Sequence, residues 1–159
     1  MNTLPELHDA QQLHRLRGLR VQRARDAVAA ALRNLAAAAA TVQERQRAVE
    51  QGRRRIDALA HALVHALASK LPRWSTTATA QRERLEDRLE RDEFELIDDQ
   101  RRLEEAQEQA QRARAELTRA LAREDAVNGL VDETRRARAS WREQRVEREL
   151  EDQPPRAGR

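Results

Sequence analysis

Stepping by sevens from Leu7, the chain places Leu7, His14, Val21, Val28, Leu35, Val42, Val49, Ile56 and Leu63 on one line. Eight of these nine are large and aliphatic, and a strict seven-residue repeat held this long marks a helix buried along the narrow seam of a coiled coil. Thr3 and Glu6 have capping-box spacing, and Pro5 suits a first turn. The pattern therefore predicts a helix from about residue 4 to about 70, roughly 100 Å at 1.5 Å per residue. Pro72 cannot continue it, and Ser75, Thr76 and Thr77 supply hydroxyls that can cap a new start. A turn is expected over 71–77, then a second helix from about 78 to about 149. Its spine is Leu89, Leu96, Leu103, Ala110, Leu117, Glu124 and Val131. A flanking row runs through Leu85, Ala106, Ala113, Ala120, Val127 and Trp141, broken by Asp92 and Asp99. Asn128-Gly129 marks an expected kink, and residues 152–159 read as a disordered tail.

The second core row of the first helix explains why the two helices should pair within one chain. It reads Ala10, Arg17, Ala24, Ala31, Ala38, Arg45, Gly52, Leu59 and Ala66, with a single large apolar member. A parallel pair of first helices would leave half its layers polar or undersized, because Val or Ile at one core position normally wants Leu at the other. The second helix carries the missing Leu row. Folding the chain so that paired positions sum to about 152 stacks Leu63 on Leu89, Ile56 on Leu96, Val49 on Leu103 and Leu35 on Leu117, and sets Arg53 against Asp99. A register four residues shorter opposes Ile56 with Asp92 and Val49 with Asp99, so the first is preferred. The expected fold is all-α: one long antiparallel two-helix coiled-coil hairpin over residues 1–159.

Composition agrees with this class. Of the 39% apolar residues, 29 are Ala, while 37% of the chain is charged and only four Gly and four Pro occur. Ala, Arg, Leu, Glu and Gln are strong helix formers, which argues against disorder, and the shortage of large apolar residues argues against a compact α/β enzyme. Net charge is +3, and the pI of 10.6 reflects 30 Arg against one Lys. The halves differ: residues 1–70 hold 12 basic and 6 acidic side chains, residues 71–159 hold 19 and 22. Opposite halves suit pairing with each other. No basic face interleaved with aromatics is evident, so no nucleic-acid partner is expected.

Chemistry-bearing patterns are few. There is no Cys. No charged start followed by an apolar core opens the chain, and no stretch is apolar enough to insert in a membrane, so a cytoplasmic protein is expected. His61 and His65 share a helix face at i, i+4, yet lack a third ligand and the metalloprotease Glu. The expectation is no metal, no cofactor, no small-molecule substrate and no enzymatic activity. What remains are protein-binding candidates. Trp74 beside Leu71 is a candidate anchor at the turn, and Trp141 reads as a layer residue or a contact. Arg15, Arg17, Arg20, Arg23, Arg25 and Arg138 cluster toward the open ends, where the layers around His14 and Glu124 are poorest.

A chain of this length that forms one long antiparallel helical hairpin rich in Ala, Arg, Gln and Glu resembles the central-stalk proteins of type III secretion ATPases. These are the FliJ family of the flagellar exporter and the YscO-like proteins of injectisomes, most of all the Hrp-type members. The resemblance covers Thr3 to Glu151 and rests on architecture and composition. It implies a cytoplasmic stalk, peripheral to the inner-membrane export apparatus, that enters a hexameric secretion ATPase and faces an export-gate protein, serving protein transport and virulence. Two other classes stay open: a structural or stator-like coiled coil that self-associates through its exposed seams, and a helical substrate or chaperone binder.

Overall fold

The computed structural model describes residues 7–65 and 71–151, with side chains of the second stretch described from 75 to 150. All of these residues are helical. α1 runs Leu7–His65 and α2 runs Leu71–Glu151, and the two pack against each other, as the seven-residue repeat predicts. One bound differs from expectation. α2 already contains 71–77, the segment read as a turn, because Pro72 falls in its first turn, where its missing N–H leaves no helical bond unmade. Helix α2 is continuous through Asn128-Gly129, and among the described residues none takes a positive φ. The proposed cap at Thr3, the end of the first helix at 66–70 and the tail from 152 lie outside the described residues.

Two compact units divide the chain. One comprises Met1–Val28 with Ala113–Arg159, the other Ala29–Arg112. In each, a stretch of α1 meets a stretch of α2, and in each the same rows face inward. Every member of the Leu7-to-Leu63 row is buried or half-buried, as are Ala10 through Leu59 in the second row. On α2, both the Leu89-to-Val131 row and the row containing Asp92, Asp99, Ala106 and Val127 are covered.

The register is the main correction. Within the Ala29–Arg112 unit, a Cβ on Gly52 would stand 3.3 Å from Leu89 Cδ1. Within the other unit, Ala10 clusters with Val127 and Val131, and Leu7 packs against that cluster. Partner positions thus sum to about 141 rather than about 152, a shift of about three helical turns that keeps the same face inward. This register does not put Leu63 on Leu89 or Ile56 on Leu96. Instead the Leu row of α2 meets the small row of α1 (Leu89 on Gly52, Leu103 opposite Ala38), and the Val row of α1 meets the small row of α2 (Leu35 opposite Ala106, Val21 opposite Ala120). Large against small lets the backbones come close and fills each layer, whereas Leu against Leu would leave the Ala and Gly rows without packing partners. Arg53 consequently pairs with Glu93 at 2.6 Å, not with Asp99.

Candidate protein-binding surfaces

This register drives Asp92 and Asp99 into the seam of the Ala29–Arg112 unit, opposite Val49 and Val42. Asp99 is only 5% exposed, and a carboxylate buried among aliphatics is costly unless a charge meets it. Arg45, one residue of the same small row, supplies that charge. Its Nε donates to Asp99 Oδ2 at 3.3 Å and its Nη1 to Asp92 Oδ1 at 3.1 Å, while Nη1 also lies 2.5 Å from Glu95 Oε2. Two further arginines approach from α2 itself, Arg102 at 3.5 Å from Asp99 and Arg88 at 4.0 Å from Asp92. Burial opposes the charge on Arg45, but the hydrogen bonds to Asp99 and Asp92 and the charges of Glu95 and Asp99 outweigh it, so its pKa stands above the ordinary arginine value. The cluster is a cross-helix clamp whose three carboxylates are met by guanidinium groups, and buried ionic groups of this kind are best attested as setters of register.

In the other unit the charge arrangement differs. Between Asp9 and Asp26, α1 carries five arginines and no carboxylate, and among the described residues none of Arg15, Arg17, Arg20, Arg23 or Arg25 lies within ion-pair distance of one. The structure separates these five. Arg17 turns toward the seam, where its Nε is buried without a partner, as is His14 Nδ1. Arg15, Arg20, Arg23 and Arg25 are exposed. Arg15, Arg20 and Arg23 share a side of the helix with the exposed Leu16 and Leu19, each within about 70° of the middle of that pair at 3.6 residues per turn. A shallow groove beside them is lined by Arg17, Arg20 and Ala24 of α1 and Glu116, Ala120 and Arg123 of α2.

Farther along α2 the apolar rows find no opposite helix among the described residues. Thr134 is the last buried side chain, with its hydroxyl donating to the Leu130 carbonyl at 2.7 Å, and every residue from Arg135 to Leu150 is exposed. Trp141 is therefore not a layer residue. Its ring stands in solvent with the Arg145 guanidinium 5.8 Å from the centroid, and Arg138 is exposed beside it. Leu71 and Trp74 fall in the first turn of α2, and their side chains lie outside the described residues. The rings of His61 and His65 are 4.4 Å apart and tilted by 43°. Among the described residues no group of three or more His, Cys, Asp or Glu is placed to hold a metal ion, and no helix is long and apolar enough to cross a membrane.

Sequence reasoning passed over the Arg45 clamp and the two exposed leucines. The clamp was signalled by three facts: Arg45 is a charge in a core row, and Asp92 and Asp99 are charges seven apart in another. Taken together they describe one neutralised layer pair; taken singly they read as defects.

No protein-family model, no curated protein and no solved structure matches the chain.

Proposed function

We propose that this protein is a stalk or coupling protein of a type III secretion export ATPase, which it would contact through the arginine-bearing part of α1 and the uncovered end of α2. The observation that carries the reading is the contrast in charge pairing. The Arg45 layer meets its charges internally, whereas Arg15, Arg20 and Arg23 flank exposed leucines with no carboxylate within 4 Å among the described residues. Cations left in this state beside apolar side chains favour an acidic protein partner, and their attraction is screened by salt. Cytoplasmic placement at the export apparatus and a link to an export-gate protein belong to the same proposal, and both come from the family resemblance.

A protein that binds an assembled ring better than separate subunits must shift the population toward the ring. The full chain should therefore raise the hydrolysis rate of its cognate ATPase and promote hexamer formation. Deleting 1–12 together with 142–159 should abolish the stimulation while circular dichroism reports retained helix. Rates are measured against protein concentration at low and high ionic strength. No stimulation at either, or full stimulation by the truncated chain, would refute the proposal.

A further inference from the structure

The basic leucine face of α1 has a counterpart on the same chain. In the Ala29–Arg112 unit, Phe94 and Ile97 are 70% and 55% exposed on the side of α2 that points away from α1. Leu16 and Leu19 in the other unit are 56% and 55% exposed. Each pair has i, i+3 spacing, so each presents one short apolar ridge.

The charges around the two ridges are opposite. Glu83, Asp87, Glu90, Glu104 and Glu105 make no ion pair within 4 Å among the described residues, although most other carboxylates of this part of α2 do. All five lie within about 80° of Phe94 around the helix at 3.6 residues per turn. Three arginines on this side meet carboxylates, Arg101 at Asp98, Arg102 at Asp99 and Arg112 at Glu108, while Arg91 Nε donates to the Asp87 carbonyl. Arg84 makes no ion pair among the described residues, so the five carboxylates outnumber the cations left unmet. The Leu16–Leu19 ridge carries the converse set, Arg15, Arg20 and Arg23, with Asp9 and Asp26 on the same side seven residues beyond either leucine. One surface is apolar with an acidic rim, the other apolar with a basic rim.

We propose that these two surfaces bind each other between copies: the Leu16–Leu19 face of one molecule docks on the Phe94–Ile97 face of a second. The inference does not depend on the secretion-stalk reading. Because the two patches differ, a contact through one of them leaves each molecule with the other, and association continues until those are paired as well, in a closed dimer, a ring or a filament. The driving force combines apolar burial with complementary charge, so high salt weakens it.

The test is charge swapping on the full-length chain, read by sedimentation velocity over a concentration series at low salt, with helix content checked by circular dichroism. The wild type should gain mass with concentration and lose at least about tenfold in association constant at high salt. Arg20→Glu with Arg23→Glu should be monomeric alone, and so should Asp87→Arg with Glu90→Arg, since each now opposes like charges. Mixing the two variants restores complementary faces at every junction and should recover the mass increase. Phe94→Ser, which leaves charge unchanged, should weaken association as well. A wild type that stays monomeric at low salt, a dimer of fixed mass that survives both variants, or a mixture that remains monomeric would each overturn the proposal. So would wild-type binding to anionic vesicles by a protein that never self-associates, since the basic face would then serve a lipid surface.

Discussion

Replacing Arg45 with Leu tests whether the clamp sets the register. The substitution keeps an apolar stem in the layer and removes the only guanidinium that reaches Asp92, Glu95 and Asp99 from α1. Breaking a buried ion pair by deleting one partner costs about 3–5 kcal/mol. Here the loss is smaller, because Arg45 is still 28% exposed and Arg102 stays 3.5 Å from Asp99, so about 2–3 kcal/mol is expected. For a chain of this size that lowers the midpoint of thermal unfolding by about 4–12 °C. Adding Asp99→Leu removes the stranded carboxylate, and the double variant should recover at least about 1.5 kcal/mol of the loss, the worth of a hydrogen bond to a charged group.

Register is read separately by cysteine cross-linking, for which the chain offers a background without cysteine. Ile56→Cys with Leu85→Cys should cross-link efficiently within one chain of otherwise wild-type sequence, and Ile56→Cys with Leu96→Cys should not. Introducing Arg45→Leu removes the polar penalty on the Leu-on-Leu alternative, so the 56–96 link should rise at the expense of 56–85. An Arg45→Leu protein whose melting curve and cross-links both match the parent would refute the clamp.

Burial and backbone predict four further outcomes by urea denaturation. A Cβ at Gly129 would meet nothing within 4 Å, so Gly129→Ala should stabilise by about 0.5–1 kcal/mol through helix propensity. Gly52→Leu drives a side chain into Leu89 and should cost about 1–3 kcal/mol as overpacking. Val21→Ala removes buried methyl groups at a cost of about 1.5–3 kcal/mol, whereas Trp141→Ala, exposed with the Arg145 guanidinium over its ring, should stay within about 1 kcal/mol.

The inward faces of both helices were legible in the sequence because seven-residue spacing places residues on a helix surface without knowledge of the partner. The axial offset was not, because periodicity is blind to sliding by whole turns: shifts of four, seven or eleven residues all return similar faces to the seam. Choosing among them by hydrophobicity favoured Leu on Leu and penalised Asp92 and Asp99. The penalty vanishes once Arg45 is counted, since a charge in one core row can neutralise two in the row across from it. The end of the pairing at Thr134 follows from the same offset. With Leu7 opposite that residue, α2 continues beyond the start of α1, and Trp141 loses the layer that the longer register promised it.

The offset also bears on what the surfaces can do. Sliding the partner by about three turns leaves the inward rows unchanged but decides which charges are met within each unit. In the observed register Asp92, Glu95 and Asp99 fall to Arg45. Arg15, Arg20 and Arg23 on one side, and Glu83, Asp87 and Glu90 on another, are left outside the seam. A register chosen by a single arginine therefore settles which charges of the seam are met, while the outward charges stay outside it in any register that keeps the same faces inward. Variants that slide the register by whole turns should leave association intact: Arg45→Leu, with no change on either face, should keep the parent's sedimentation behaviour even as the 56–96 cross-link accumulates. Association that falls as the cross-link shifts would show that the two outward faces depend on the clamp.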